Sequence, residues 1–250
     1  PMNEHGYFNF SVSNASARAV LDKADVVILE VNENLPWVYG GLDECIHIDD
    51  VDMIVEGPHN PLPSIQTPPA SEAETRIAEF VVENMDDGAT LQLGIGTIPD
   101  AVLKYLGGKK DLGIHSEMFS DGVVDLYEKG VITGANKTLD KGKMVAAFLM
   151  GSKKLYDFVD NHPDVLMKTV DYVNNPAVIC QNPKVVAINS CLQVDFNGQV
   201  NSESMGIKQF SGIGGQLDYV RGASMCPDGK AILAMPSTAK HGEASRIVPY

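Results

Sequence analysis

One glutamate in a polar cluster is a candidate nucleophile in this sequence. Glu117 lies in the run at residues 112–122 (LGIHSEMFSDG), where a short apolar segment gives way to polar residues. A glutamate carboxylate is ionised at neutral pH and can attack a carbonyl carbon without a base, so it suits covalent acyl chemistry. A lone glutamate of this kind is more often a helix-capping or solvated acid, and both interpretations stay open here. His115 alone is more typical of a hydrogen-bonded residue near the core than of a base.

Two glycine-rich turns could present backbone N–H groups to a ligand. The first, at residues 93–96 (LGIG), follows an apolar run and precedes a helical pattern, and the second lies at residues 211–222 (SGIGGQLDYVRG). N–H groups without a side chain beside them can bind a phosphate or a developing oxyanion. The alternatives are a tight strand-to-helix turn for the first and a flexible surface loop for the second. The first turn lacks the further residues of dinucleotide and P-loop motifs.

Other polar residues carry weaker signals. Asn174 and Asn175 precede Pro176, and considered alone they are typical of a turn. Cys191 could act as a thiol nucleophile, but nothing nearby in sequence would lower its pKa, so a small buried apolar role is favoured. The cysteines are widely scattered, with no C-x-x-C pair and no histidine at metal-ligand spacing, so neither a disulfide nor a zinc site is indicated.

The elements that must position these residues follow an alternating pattern of strands and helices. Because most of the strand-like runs are apolar throughout, they predict an α/β protein with open, largely parallel sheets and flanking helices. The predicted strands cover residues 25–31, 53–56, 90–95, 112–115, 144–150 and 185–190, and the predicted helices cover residues 14–23, 71–85, 99–106 and 152–161. Asn197-Gly198 predicts a tight hairpin. Ligands bind at the carboxyl ends of parallel strands, which is where this assignment places Glu117.

A proline-rich stretch at residues 57–70 divides the chain. Its proline density is incompatible with a helix or a central strand and predicts an extended linker between residues 1–56 and residues 71–250. The sequence begins at Pro1 and stops in an apolar run, so we expect an internal segment of a longer protein.

Length, composition and charge exclude several classes of protein. The chain has 250 residues, of which 44% are hydrophobic and 21% charged, so a disordered or fibrous protein is excluded. A formal net charge of −14 without a basic patch argues against nucleic acid as a partner. No apolar run approaches the roughly 20 residues of a membrane-spanning helix, and no signal-peptide pattern opens the sequence. We therefore expect no membrane association and a cytoplasmic location.

Seven runs together resemble one known family. They are similar, in order and in plausible spacing over nearly the whole chain, to the acetyl-CoA hydrolase/transferase family of class I CoA-transferases. The runs lie at residues 5–8 (HGYF), 27–32 (VILEVN), 91–99 (LQLGIGTIP), 112–122 (LGIHSEMFSDG), 188–204 (INSCLQVDFNGQVNSES), 211–222 (SGIGGQLDYVRG) and 245–249 (SRIVP).

The resemblance implies an architecture and a set of site residues. The full-length protein would have two similar α/β domains with the active site in the cleft between them. Residues 1–56 would then close the first domain, and residues 71–250 would form most of the second. The family's nucleophile falls on Glu117, and Asn174 and Asn175 correspond less securely to a polar active-site asparagine. The oxyanion-binding and CoA-binding backbone positions fall on Leu93, Gly94, Gly96, Gly212, Gly214 and Gly215.

The resemblance also implies a reaction. CoA would move between an acyl-CoA, such as 4-hydroxybutyryl-, butyryl- or acetyl-CoA, and a free carboxylate such as acetate, through a thioester on Glu117. Coenzyme A would be a substrate, no metal or other cofactor would be needed, and a homo-oligomer is expected. Two alternatives stay open. They are an acyl-CoA hydrolase that uses the same glutamate and a non-catalytic metabolite-binding domain that uses the two glycine turns.

Overall fold

The computed structural model describes residues 1–41, 43–65 and 67–249, and within these ranges the chain forms short strands connected by helices and loops. The strands are β1 Tyr7–Asn9, β2 Ile28–Val31, β3 Cys45–His47, β4 Met53–Glu56, β5 Thr90–Leu93, β6 Gly113–Ile114, β7 Met118–Phe119, β8 Met144–Ala146, β9 Phe148–Leu149, β10 Val165–Met167, β11 Val185–Ser190, β12 Gln193–Asp195, β13 Val200–Asn201, β14 Ser204–Met205, β15 Lys208–Gln209, β16 Lys230–Ala234, β17 Thr238–Ala239, β18 Ala244–Ser245 and β19 Ile247–Val248. The α-helices are α1 Ala17–Leu21, α2 Glu72–Glu83, α3 Thr97–Tyr105, α4 Asp121–Glu128, α5 Lys153–Val159, α6 Val170–Val173, α7 Pro176–Ile179 and α8 Gln216–Met225.

A parallel sheet lies at the centre of the fold. Four strands run parallel in the order β16-β11-β5-β6, and a parallel bridge from His115 to Val145 extends the arrangement to the parallel pair β8 and β10. Every residue of β5 is buried, as expected for a strand covered on both faces. The predicted α/β fold with largely parallel sheets is confirmed.

Strand β11 shows how the two faces of the sheet are covered. Successive side chains of a strand point to opposite faces. Accordingly, Val186 and Ile188 belong to a hydrophobic cluster with residues of α2 and α3, whereas Val185 and Ala187 belong to a second cluster with Tyr219 and other residues of α7 and α8. The second cluster carries the elements that form the candidate site described below.

Several predicted elements are confirmed. The Ser71 side chain accepts a hydrogen bond from the Glu74 N–H while the Glu74 carboxylate accepts one from the Ser71 N–H, which is the predicted capping box of α2. Strands β4 and β11 have their predicted bounds. The hairpin at Asn197-Gly198 joins the antiparallel strands β12 and β13.

The predicted strand at residues 144–150 is wrong in one respect, because it is interrupted. Strand β8 ends at Ala146 and β9 begins at Phe148, and each pairs with a different partner. At the interruption the carbonyl of Glu117 accepts two hydrogen bonds, one from the Ala147 N–H at 2.9 Å and one from the Phe148 N–H at 3.0 Å. Two residues opposite one is the geometry of a β-bulge, which bends the strand.

The second glycine-rich segment was only partly described by the sequence. The sequence predicts one turn at residues 211–222, but α8 begins at Gln216 and includes Gly222. A Cβ on Gly222 would lie 2.6 Å from Cγ2 of Ile179 in α7, so this glycine permits helix packing and does not approach a ligand. The predicted helix at residues 14–23 is also shorter in the structure, because the N–H groups of Asn14 and Ala15 donate to the Ala147 carbonyl.

The proline-rich segment has neither helix nor strand at residues 57–65 and 67–70, and Gln66 lies outside the described residues. Residues on both sides of this segment contact each other, since the Tyr39 carbonyl accepts from the Met167 N–H at 2.6 Å. The domain limits at residues 1–56, 57–70 and 71–250 stay a prediction, and Leu42 and Tyr250 within them lie outside the described residues.

Candidate active site

Glu117 lies between β6 and β7, where the chain is held from both sides. Its carbonyl accepts the two hydrogen bonds of the β-bulge, and the flanking Ser116 and Met118 are buried. The Glu117 side chain itself is half-buried and reaches a cavity. A carboxylate on a backbone fixed in this way has little freedom to move away from a substrate, which favours reaction.

The carboxylate of Glu117 contacts the amino-terminal end of a helix. The N–H of Gly215, the residue that precedes α8, donates to Oε2 of Glu117 at 3.0 Å. The amino-terminal end of α8, a helix of 10 residues, carries a partial positive charge that stabilises an anion. The same N–H could stabilise an oxyanion that develops when the carboxyl carbon of Glu117 is itself attacked.

Gly215 is a glycine because two functional groups approach its Cα. A Cβ at this position would lie 2.5 Å from Oε2 of Glu117 and 2.5 Å from Nδ2 of Asn174. The amide nitrogen of Asn174 and the carboxylate of Glu117 therefore both lie close to the same point beside Gly215. Gly214 has a different requirement, since its φ of +55° is in the left-handed region and space is open around it. A Cβ on Gly212 would also have open space.

The structure brings four of the predicted site residues to one cavity. This cavity has a volume of about 500 Å³ and includes Glu117, Asn174, Asn175 and Gly214 in its lining. The side chain of Asn175 accepts a hydrogen bond from the Ala177 N–H at 3.0 Å and caps α7. Asn174, by contrast, directs its amide nitrogen toward Gly215, so it is the asparagine that can act on a group bound to Glu117.

The first glycine-rich turn lies on a second cavity of about 460 Å³, which Gly94, Gly96 and Met118 help to line. Two of its amides are used within the fold, because the Leu93 N–H donates to Ser116 Oγ at 3.2 Å and the Gly94 N–H donates to the Ile188 carbonyl at 2.9 Å. Gly96 precedes α3 with a φ of +127°. Leu93 and Gly94 thus shape the turn, and the start of α3 offers the N–H groups.

The sequence analysis missed the importance of Tyr219. This side chain is fully buried on the first turn of α8, and its Oη lies 2.9 Å from the Val173 carbonyl and 3.2 Å from Oδ1 of Asn174. Burial, followed by the negative charges of Glu117 and Asp218, raises the pKa of Tyr219 well above its usual value. The hydroxyl therefore stays protonated. The i, i+3, i+4 spacing of Tyr219, Gly222 and Ala223 is the helical signal that could have placed it.

His115 is also buried in this region, as the sequence favoured. Its Nε2 lies 2.9 Å from the Val173 carbonyl, which can only accept, so Nε2 carries the proton. Burial, and next the positive charge of Lys137, lowers the pKa of His115 to about 4. The imidazole is therefore neutral at pH 7, and it supports the local structure as a donor.

This pKa predicts a pH dependence of stability. Below pH 6.5 the unfolded chain takes up a proton at His115, whereas the folded chain does so only near pH 4, so stability should fall as the pH decreases between these values. In the wild-type protein this proton uptake should lower the free energy of unfolding by about 3 kcal/mol between these pH values. In His115→Gln we expect that decrease to be absent. Urea unfolding at several pH values measures it, with the exposed His5→Gln as control. An unchanged pH profile in His115→Gln would contradict the assignment.

Cys191 does not have the properties of a nucleophile. It is 6% exposed, and burial raises the pKa of its thiol, so the reactive thiolate is disfavoured. Within the parts of the chain that the structure describes, no group of three or more His, Cys, Asp or Glu residues could hold a metal ion. The helices of residues 1–41, 43–65 and 67–249 include none that is long and apolar enough to cross a membrane.

Comparison with known proteins defines the class to which this fold and site belong. The structure of 4-hydroxybutyrate CoA-transferase from Porphyromonas gingivalis matches with a TM-score of 0.89 and 45% identity over 100% of this chain and 60% of that one. The chain is 55% identical to 4-hydroxybutyrate coenzyme A transferase of Clostridium kluyveri, over 99% of this chain and 57% of the relative. It is 43% identical to butyryl-CoA:acetate CoA-transferase of Anaerostipes caccae, over 100% and 57% respectively. The chain thus has the fold of a CoA-transferase.

The chain belongs to the acetyl-CoA hydrolase/transferase family. Residues 1–66 match the N-terminal domain of that family and residues 151–250 match its C-terminal domain, in agreement with the expected two-domain architecture. The family resemblance predicted from the sequence is confirmed. The chain spans somewhat more than half the length of the curated relatives described above, so the activity of the whole protein is addressed as a proposal.

Proposed function

We propose that the full-length protein is a CoA-transferase in which Glu117 carries CoA between two carboxylic acids. The observation that supports this most directly is the Glu117 carboxylate, which lines a cavity, accepts from the Gly215 N–H at 3.0 Å and lies beside Gly215 together with the Asn174 amide. The similarity to two 4-hydroxybutyrate CoA-transferases and a butyryl-CoA:acetate CoA-transferase supports short acyl-CoA thioesters and acetate as substrates.

The first half-reaction transfers CoA to the enzyme. A carboxylate oxygen of Glu117 attacks the thioester carbonyl and the C–S bond breaks. CoA departs as the thiolate, and the acyl group stays on the enzyme as an acyl-glutamyl anhydride. The thiolate then attacks the carboxyl carbon of Glu117, and the C–O bond of the anhydride breaks. The products are a glutamyl-CoA thioester and the free carboxylate of the first acid.

The second half-reaction returns CoA to an acceptor. Acetate attacks the carbonyl carbon of the glutamyl-CoA thioester, which regenerates the CoA thiolate and forms an acetyl-glutamyl anhydride. The thiolate then attacks the acetyl carbonyl, acetyl-CoA leaves, and the Glu117 carboxylate is restored. No net proton transfer is needed, which fits a site where the nearby His115 is held neutral by burial.

Each attack passes through a tetrahedral oxyanion, so the donors around Glu117 have a defined role. The Gly215 N–H and the Asn174 amide are placed to stabilise negative charge on the glutamyl oxygen. The start of α3, next to Gly96 on the second cavity, is proposed to offer N–H groups to the acyl oxygen or to CoA. Since a carboxylate is a weak nucleophile, binding of the remote part of CoA must help to reach the transition state.

The order of binding and release tests this function. If CoA stays on Glu117 between the half-reactions, the first acid leaves before acetate binds, and double-reciprocal plots at several acetate concentrations should be parallel. We expect this result for the full-length enzyme with butyryl-CoA. Intersecting lines would mean that acetate attacks the acyl-CoA directly in a ternary complex, and would contradict a covalent intermediate.

A hydrolase that uses the same glutamate is the alternative, and the family description includes both activities. In that case water would attack the intermediate. We favour transfer because Met118 and Phe119, the two residues after Glu117, are 6% and 0% exposed and help to exclude solvent. Butyryl-CoA consumption without acetate should therefore be slow; rapid consumption would assign a hydrolase.

We further propose acyl-CoA and small carboxylates as the only ligands, with coenzyme A as a substrate and no metal or other cofactor. A homo-oligomer and a cytoplasmic location are expected from the family resemblance. Light scattering of the full-length protein measures its oligomeric state.

A further inference from the structure

One backbone carbonyl, that of Val173, is contacted by two buried side chains. Tyr219 Oη and His115 Nε2 each lie 2.9 Å from this oxygen. Tyr219 is 0% exposed and His115 is 2% exposed, so water does not compete for these hydrogen bonds. A carbonyl oxygen has two lone pairs and can accept from both donors.

These contacts link the three elements that form the candidate active site. His115 precedes Glu117 by two residues, and Val173 is followed directly by Asn174. Tyr219 lies one helical turn after Gly215, the donor to Glu117. The Val173 carbonyl therefore connects the segment between β6 and β7 that carries the nucleophile, the turn that carries the asparagine and the helix whose preceding residue provides the backbone N–H.

The Tyr219 hydroxyl also faces the side chain of Asn174. The distance from Oη to Oδ1 of Asn174 is 3.2 Å, and Nδ2 of the same amide lies beside Gly215 on the side where Oε2 of Glu117 lies. A carboxylate only accepts hydrogen bonds and repels an amide oxygen, so its charge favours this orientation of the amide. The Tyr219 hydroxyl has a single proton, and its two acceptors, the Val173 carbonyl at 2.9 Å and Oδ1 of Asn174 at 3.2 Å, share it in a three-centre hydrogen bond that stabilises the same orientation of the amide.

We infer that Tyr219 is a positioning residue whose hydroxyl keeps the Asn174 amide turned toward Glu117. His115 supports this arrangement by holding the Val173 carbonyl. When the carboxyl carbon of Glu117 is attacked, its oxygen becomes negative, and Nδ2 of Asn174 is then already held on the same side of Gly215 as that carboxyl group. The inference rests on the proposed function, because it assigns a partner to the asparagine of that reaction.

Tyr219→Phe in the full-length enzyme removes the hydroxyl and keeps the ring. We expect kcat for butyryl-CoA:acetate transfer to fall roughly 10- to 100-fold, with KM for butyryl-CoA within about twofold, since misplacement of a catalytic group affects the transition state more than binding. Tyr172→Phe is the matched control, because the Tyr172 hydroxyl donates to Asp140 at 2.8 Å and not to Asn174. Its kcat should change less than about twofold. Rates are normalised to folded protein by near-ultraviolet circular dichroism.

A double-mutant cycle separates positioning from a structural role. In an Asn174→Ala background, Tyr219→Phe should change kcat by less than about twofold, because the partner through which it acts is gone. If the two losses multiply, or if Tyr219→Phe alone has the wild-type kcat, the positioning role is overturned. A full-length wild-type enzyme that transfers no CoA would overturn the proposed function itself, and this result is distinguishable from an active wild type with an unaffected Tyr219→Phe variant.

Discussion

Glu117→Gln in the full-length enzyme is expected to lower kcat for CoA transfer by roughly 10⁴-fold or more, because the variant lacks the atom that forms the covalent bond. The replacement preserves the size of the side chain and leaves an amide oxygen that can accept from the Gly215 N–H, so the fold should be retained. Steady-state rates with butyryl-CoA and acetate measure the effect.

Two further variants test whether the loss of activity is specific to the carboxylate of Glu117 and to its position. Glu117→Asp keeps the charge but shortens the side chain by one methylene, which withdraws the carboxylate from the N–H that lies 3.0 Å from Oε2, and we expect an intermediate loss of activity. Glu128→Gln in α4 removes a carboxylate that is 59% exposed and should have the wild-type rate. Substantial activity in Glu117→Gln would show that another residue carries the reaction.

Gly215→Ala is expected to reduce kcat by roughly 100-fold or more, because misplacing a reacting group by about 1 Å has an effect of this size. The added Cβ would lie 2.5 Å from both Oε2 of Glu117 and Nδ2 of Asn174, so at least one of them must move. Because the backbone of Gly215 has φ −90° and ψ 0°, alanine adopts it without left-handed strain. Gly215→Ala should therefore cause a large decrease in kcat and only a small decrease in Tm, which steady-state rates and thermal unfolding measure.

Other glycines provide controls for this substitution. Gly107→Ala introduces a Cβ with open space and no positive φ, and both activity and Tm should be unchanged. Gly214→Ala forces an alanine into a left-handed conformation at φ +55°, and should cost about 1 kcal/mol of stability. If Gly215→Ala unfolds the protein while the remaining folded fraction is fully active, its glycine is required only by the backbone.

Local patterns were sufficient to predict the elements that do not depend on distant partners. The capping box of Ser71 and Glu74 and the apolar strand β11 each follow from neighbouring residues, and both are present in the structure. The short helices α6 and α7 were missed because each has only four residues, too few for a periodic signal.

The interruption at Ala147 could not be predicted, because it depends on a tertiary contact. The local sequence there is apolar and continuous, and only the Glu117 carbonyl, thirty residues earlier, reveals that two N–H groups compete for one acceptor. The same contact interrupts the strand after Ala146 and fixes the backbone carbonyl of Glu117. The sequence around Glu117 and the sequence around Ala147 therefore give no local signal of the hydrogen bonds that join them.

The site residues illustrate the same limit. The family resemblance pointed to Glu117 and to the glycine turns, and it could not distinguish why each glycine is present. The structure shows a close approach at Gly215, a left-handed backbone at Gly214 and helix packing at Gly222. Tyr219 escaped attention because its hydroxyl acts on Asn174, a residue 45 positions away in the sequence.

The most direct test is a mass spectrum of the full-length enzyme after incubation with butyryl-CoA. The peptide that contains Glu117 is expected to gain the mass of CoA less one water, and hydroxylamine or added acetate should remove the adduct. The Glu117→Gln variant should gain no mass at this peptide. A CoA adduct located at Cys191, or an active enzyme that forms no adduct at any residue, would contradict Glu117 as the carrier of CoA.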